Sequence, residues 1–406
     1  MIDQPEKLYT MPPYTRAVVM SDLNLMRCFS IARIPYVPIA TTDSTLIFHS
    51  KGSLPGIRIP DPAVDAVTAK NRLIEAAKHW AEKSVLYYSN DQQLLMVSDY
   101  REEFRQHFHL LLPPSDFIRE VVDKRGFVHF ARQHRLPTPQ TFLREELQQM
   151  DIEKDIVFPC VVKPTTRFLW KIKGQDPFQK VITVKDAAEL RGVLATIPDD
   201  KDFVLQRYIE GTDDLVYSYH AFYDQDGKRE AYFCGKKIRA YPNHNGYSAS
   251  VGLVHDPELA ALGHELMQRI GLVGVIKVDF KYDPQNRKYY LLELNPRFNM
   301  WHYLGAVCGI NIPHLAYATL NGATLQGRET YRTDICWFNM HRDVLAGLES
   351  YRHGRLTLAG WLRSYQTRKI YDVFAWSDPK PALYGVLRFV FNRINDLIGK
   401  IRPAYP

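Results

Sequence analysis

Two apolar runs joined by a short reversal constrain this chain more than any other feature. VGVIKVDFKY at 273–282 and KYYLLELNP at 288–296 flank DPQNR, a turn composition, so they read as neighbouring β-strands. Side chains alternate across a strand. That places Val275, Lys277 and Asp279 on one face of the first run, and Glu293 with Asn295 on one face of the second. Asp279, Glu293 and the amide oxygen of Asn295 are hard oxygen donors, the kind magnesium takes beside nucleotide phosphates. Arg297 follows at once and can contact a transferred phosphate. The competing reading makes Asp279 and Glu293 ordinary salt-bridge partners. The shared register and the Asn-Pro-Arg that follows favour the metal.

Elsewhere the chain alternates strand and helix, which predicts an α/β architecture. RAVVM at 16–20 reads as a buried strand, Ser21–Asn24 as a turn, Leu25–Ala32 as a helix and YVPIAT as a returning strand. Residues 62–82 look helical, SVLYYS is a strand, and a helix is expected around Asp99–His109. The prolines of LLLPP at 110–114 mark a boundary. Beyond it, Lys124–Arg135, DAAELRGVL and Pro257–Ile270 read as helices, and FPCVVKP and FVLQRYI as strands. After Asn321–Gly322 come aromatic patches, short helices and the amphipathic RFVFNRI at 388–394. Core packing is the first reading of that basic aromatic end, and weak contact with a membrane surface the second.

Composition excludes some classes. With 46% hydrophobic and 24% charged residues, this is a folding chain rather than a disordered one. Five scattered cysteines, Cys28, Cys160, Cys234, Cys308 and Cys336, suggest neither a disulfide scaffold nor a cysteine-rich metal site, and a reducing, cytoplasmic setting is expected. No signal-type segment or run of about 20 apolar residues predicts a spanning helix. The net charge of +7 suits anionic substrates or simply a basic surface, and no nucleic-acid reader motif is present.

Two further stretches carry chemistry. VVKPTT at 161–166 ends a strand on Lys163, whose ammonium can meet phosphate while its stem packs beside a nucleotide; taken alone, it reads first as an exposed strand-end charge. LQRYIEGTDD at 205–214 offers hinge backbone groups for an adenine edge, and Asp213 for ribose hydroxyls or as a plain loop acid.

Taken in order, these motifs resemble the ATP-grasp superfamily, particularly carboxylate–amine ligases and carbamoyl-phosphate-synthase-like proteins, over about residues 16–322. The resemblance implies an α+β fold: a pre-ATP-grasp α/β domain at 1–112, an ATP-grasp domain at 113–330 and a C-terminal helical extension at 331–406. The ATP-grasp domain would divide into an ATP-binding lobe (113–210) and a metal and catalytic lobe (211–330). DKRGFVHFARQHRLPTP looks like the segment entering the ATP-binding lobe, with Lys124 as the first phosphate-contacting lysine and Lys163 of FPCVVKP as the second. QRYIEGTDD resembles the adenine hinge, with Gln206 and the Tyr208–Ile209 backbone near the base and Asp213 near ribose. KVDF and LLELNPR match the metal strands, Asp279 first, then Glu293 and Asn295, with Arg297 at the phosphate.

Some positions depart from that pattern. Gln206 stands where many relatives carry an acid, TTRFLWKIKGQ offers only Gly174 for a glycine-rich phosphate loop, and SDLN lacks the glycines of related N-terminal turns. In CGKKIRAYPNHNGYSASVG the resemblance points to Lys237 and Arg239 as anion contacts, against surface charge as the plain reading. Ser248 is a weaker choice, and Tyr247 and His244 shape the pocket. The implied activity is ATP-dependent ligation of a small-molecule carboxylate to an amine through an acyl phosphate, with magnesium, or manganese in its place. The alternatives are an ATP-grasp kinase or carboxylase, or a nucleotide-binding regulatory protein.

Overall fold

Three sheets build the molecule. The computed structural model describes residues 15–41, 46–165, 181–243, 246–323 and 329–401, with side chains as far as Asn392. His244 and the segment containing Gly174 lie outside the described residues.

The first sheet is parallel, in the order β3-β2-β1-β4-β5, with β1 (Ala17–Met20), β2 (Tyr36–Ala40), β3 (Ile57–Arg58), β4 (Ser84–Tyr87) and β5 (Phe108–His109). Its central strand is buried on both faces. Ala17 and Val19 join one apolar cluster and Val18 and Met20 another, as a helix-covered parallel sheet requires. The helical stretch expected around Asp99–His109 is present, and another helix precedes it. A helix already starts at Asp91, because the Asn90 side chain accepts the Gln93 N–H and caps it, and a second one covers Arg101–His107.

Next come two helices, Ser115–Val122 and Lys124–Gln133. Asp123 caps the second by accepting the Gly126 N–H at 2.8 Å, which fixes Lys124 as its first residue. Gly126 is required here because a Cβ would stand 2.7 Å from the Glu120 carbonyl oxygen. β6 (Thr141–Leu143), β7 (Cys160–Pro164), β8 (Ile182–Val184) and β9 (Phe203–Arg207) then form an antiparallel sheet ordered β6-β9-β7-β8.

The largest sheet is ordered β14-β13-β10-β11-β12-β15-β16. Its strands are β10 (Val216–Tyr223), β11 (Arg229–Tyr241), β12 (Tyr247–Val254), β13 (Gly274–Asp283), β14 (Lys288–Asn295), β15 (Ile335–Phe338) and β16 (Arg368–Tyr371). The hairpin read from 273–296 is present as β13 and β14. β10 to β12 are long strands that the sequence reading did not identify. Ser218, His220, Lys236, Lys237 and Arg239 interrupt their apolar pattern, and the sheet supplies those groups with neighbours that sequence spacing does not reveal.

The expectation of a helical extension at 331–406 is corrected. β15 pairs antiparallel with β12, and β16 runs parallel to β15, so this segment completes the sheet. Arg27, buried in the first helix, ties it down by donating to the carbonyls of Tyr371, Asp372 and Val373. The closing helix, Lys380–Ile401, does not pack as a core element. The Tyr384 ring packs tilted against His49 with centroids 4.0 Å apart, yet Leu383, Val386, Leu387 and Val390 are exposed. No helix among the described residues is long and apolar enough to cross a membrane.

Candidate active site

The β13–β14 pairing sets Asp279 directly opposite Glu293 and Lys277 opposite Asn295. On the other side of β13, Ser218 of β10 faces Asp279 and His220 faces Lys277. Because strand side chains alternate, these six groups share one face. Asp279 is buried, its carboxylate accepting the Ser218 hydroxyl and the Lys277 ammonium, the latter at 2.6 Å. Burial raises Asp279 above the usual carboxylate range; Lys277 opposes the rise and Glu293 adds to it. A buried carboxylate facing a second one gains from any cation placed between them.

Glu293 itself is exposed to the cleft, and its Oε1 accepts the Asn295 amide at 3.1 Å. The Asn295 oxygen accepts Arg297 Nη2 at 3.1 Å. Among the described residues no three His, Cys, Asp or Glu side chains form a self-contained metal cage. Two carboxylates and an amide oxygen fit a hard divalent ion that completes its shell from phosphate and water.

Lys163, at the end of β7, approaches from the four-stranded sheet and donates to Gln206 Oε1 at 2.6 Å. Gln206 in turn donates to Thr141 at 2.9 Å, so the amide replacing the more usual acid is held between a cation and a hydroxyl. Burial pulls Lys163 down to about 8; Glu293 resists the fall and Lys124 contributes to it. Lys163 therefore responds to the charges of both Lys124 and Glu293. Lys124 donates to the Pro164 carbonyl.

This shift sets a pH dependence. The Lys163 ammonium is the form that attracts phosphate, and in the ligand-free protein it loses its proton near pH 8. ADP affinity should be greatest below that pH and weaken as pH rises through it, approaching about tenfold per unit above it. Lys163→Arg, which stays charged, should flatten the profile. Calorimetric titration of ADP between pH 7 and 9.5 checks this, and a flat wild-type profile rejects it. The linked stability runs the other way. The unfolded lysine holds its proton to higher pH, so stability rises from about pH 8 to about 10.4.

In the segment expected to meet adenine, the Tyr208 N–H is donated to the Pro159 carbonyl at 2.8 Å. The Ile209 N–H has no partner among the described residues. Asp213 opens a short turn, Asp213–Leu215, close enough to influence Lys281, Lys237 and Tyr208.

The two cations expected on β11 part company. Lys237 donates to the Gly246 carbonyl at 3.3 Å; burial lowers it, Asp279 opposing and Lys277 assisting, so it belongs with the acids. Arg239 is corrected. A bulge separates it from Lys237, and its guanidinium is buried in a two-pronged pair with Asp343 at 2.7 and 2.9 Å. Its charge is taken up in fixing the helix Met340–Arg352 to the sheet. Ser248 is buried on β12, and the half-exposed Tyr247 lies under Arg342, 5.2 Å from the ring centre.

Other contacts here went unread in sequence. Arg297 reaches the loop after β4, donating to Asp91 at 2.5 Å and to the Ser89 carbonyl at 3.1 Å; no spacing rule links positions 206 residues apart. Lys277 was legible through its parity with Asp279. Its ammonium stands 5.5 Å from the Trp301 ring centre, and Gly235 makes room for that ring, since a Cβ there would approach it to 2.8 Å. His220 stacks between Phe233 and Trp301, fully buried, with neither ring nitrogen partnered among the described residues. Burial holds it and His302 neutral, His302 near 3.

Comparison with known proteins agrees with this geometry. The family described as "ATP-grasp in the biosynthetic pathway with Ter operon" matches residues 232–339, from within β11 to just past β15. A D-aspartate ligase of Enterococcus faecium is 22% identical over 268 residues, 63% of each chain. The large chain of carbamoyl phosphate synthase from Pyrococcus furiosus is 23% identical over 246 residues, 57% of this chain and 22% of that one. The chain thus spans less than two thirds of either relative. Among solved structures, an L-amino acid ligase from Bacillus licheniformis superposes with a TM-score of 0.57 at 15% identity, covering 80% of this chain and 79% of the other. An N5-carboxyaminoimidazole ribonucleotide synthetase in complex with ADP gives 0.55 at 15% identity, covering 79% and 80%. These likenesses establish the fold.

Proposed function

We propose that this chain belongs to the ATP-grasp superfamily and is an ATP-dependent ligase that joins a carboxylate to an amine and releases ADP and phosphate. The observation that supports the proposal is Asp279 facing Glu293 across the β13–β14 pair, with Lys163 near enough to respond to the charge of Glu293. In this reading residues 113–210 form the nucleotide-binding lobe, 211–330 the metal and catalytic lobe, and 1–112 the domain that supplies Ser89 and Asp91 to Arg297. Two relatives with ligase names act on amino acids, which supports an amino acid as one of the two substrates here.

Asp279, Glu293 and Asn295 would hold a divalent ion, which when bound neutralises phosphate charge and aligns the γ-phosphoryl group. Lys124, Lys163 and Arg297 bind the phosphate oxygens and stabilise charge as it moves toward the β–γ bridging oxygen. A carboxylate oxygen attacks the γ-phosphorus, that bridge breaks, and ADP leaves. Lys237 sits beside the acids, where it can orient the carboxylate or the resulting acyl phosphate. The amine nitrogen then attacks the acyl carbon, phosphate leaves with both electrons of the C–O bond, and the nitrogen gives up a proton. Positioning and fixed charge supply the rate, with no protein nucleophile.

Carboxylates labelled with ¹⁸O in both oxygens, incubated with ATP, magnesium and an amino-acid mixture, test this reading. One label should appear in inorganic phosphate and the other in the amide. AMP with pyrophosphate, a phosphorylated alcohol, or unlabelled phosphate would reject it.

A further inference from the structure

We propose that the closing helix, Lys380–Ile401, docks this protein onto an anionic bilayer surface through an apolar face that none of the described residues covers. Leu383, Val386, Leu387 and Val390 follow the i, i+3, i+4, i+7 spacing of a single helix stripe, and all are 48–60% exposed. Phe389 and Phe391 are exposed beside them. The opposite side seats the helix on the body: Pro381 is buried, the Tyr384 ring packs tilted against His49, and a Cβ at Gly385 would touch Leu46 at 3.3 Å. The stripe is therefore held outward by a real contact. Just before the helix, Trp376 is 89% exposed, an indole of the type that settles at a lipid headgroup boundary.

Charge selects the occupant. In sequence the helix carries Lys380, Arg388, Arg393 and Lys400 against Asp396 alone, within a chain of net charge +7. Two copies of such a helix repel one another, whereas an anionic headgroup layer attracts each cation while the stripe enters the acyl boundary. The helix does not meet the length and apolarity of a spanning segment, so it lies in the surface plane.

Flotation of the full chain with extruded vesicles tests the proposal, comparing phosphatidylcholine alone with phosphatidylcholine containing phosphatidylglycerol. Binding is expected to the anionic vesicles only, and to weaken with added salt. The double variant Leu387→Glu, Val390→Glu should lower partitioning more than about tenfold. Both positions are exposed, so its thermal midpoint and ATP hydrolysis should match the parent. Absence of flotation with anionic vesicles, or flotation unchanged in the variant, overturns the proposal. So does a concentration-dependent dimer in sedimentation that the variant dissociates, since the face then covers a second copy.

Discussion

Glu293→Gln should lower turnover roughly 10²–10³-fold, the scale of losing one preorganised electrostatic partner in the transition state. The substitution keeps the shape and removes one negative charge. Glu293 is exposed to the cleft, so the fold loses nothing buried, and Gln can still accept the Asn295 amide. The charge itself acts on two groups. Opposite Asp279 it completes the pair of carboxylates, and toward Lys163 it favours the protonated ammonium. The variant should therefore need more magnesium for half-maximal activity, and its Lys163 should lose its proton at lower pH than in the parent. Steady-state rates across a magnesium series read the first effect, and the pH profile of ADP binding reads the second. Unchanged turnover at every magnesium concentration would remove Glu293 from the catalytic set.

Asp343→Ala should destabilise the protein by about 3–5 kcal/mol, because breaking one side of a buried ion pair strands the other charge. Asp343 is fully buried and receives both prongs of Arg239 and the Tyr365 hydroxyl. Without it, the Arg239 guanidinium remains inside with no counter-charge, between the sheet and the helix Met340–Arg352. Replacing both partners, Asp343→Leu with Arg239→Met, should recover much of the loss, since neither a charge nor its desolvation then remains. Urea unfolding measures the ladder of variants. A loss below about 1 kcal/mol for Asp343→Ala would return Arg239 to the role of a substrate contact. The folded fraction of Asp343→Ala should bind ADP as the parent does, which separates a structural part from a catalytic one.

The two outcomes mark how far the chain was legible. Asp279, Glu293 and Asn295 could be placed together from sequence because a hairpin of known turn and period two leaves one register. Lys124 was named from the family resemblance, and the structure makes it the first residue of a helix capped by Asp123. Lys237 and Arg239 looked equivalent, two apart on one run of cations, and a bulge between them sent one to the acids and the other to Asp343. A bulge leaves no mark in composition. Tyr208 presented the same difficulty, since the Pro159 carbonyl that takes its N–H lies in a different strand connection.

By itself, the sequence determined the α/β alternation, the β13–β14 hairpin and the oxygen donors on its face, because these depend on local period and turn chemistry. Only the tertiary structure decided that β15 and β16 finish the large sheet, that Arg297 is anchored by Ser89 and Asp91, and that the last helix turns its apolar stripe outward. Each of those depends on which distant surface an element meets, and an element's own residues state its hydrophobic face without naming what will cover it.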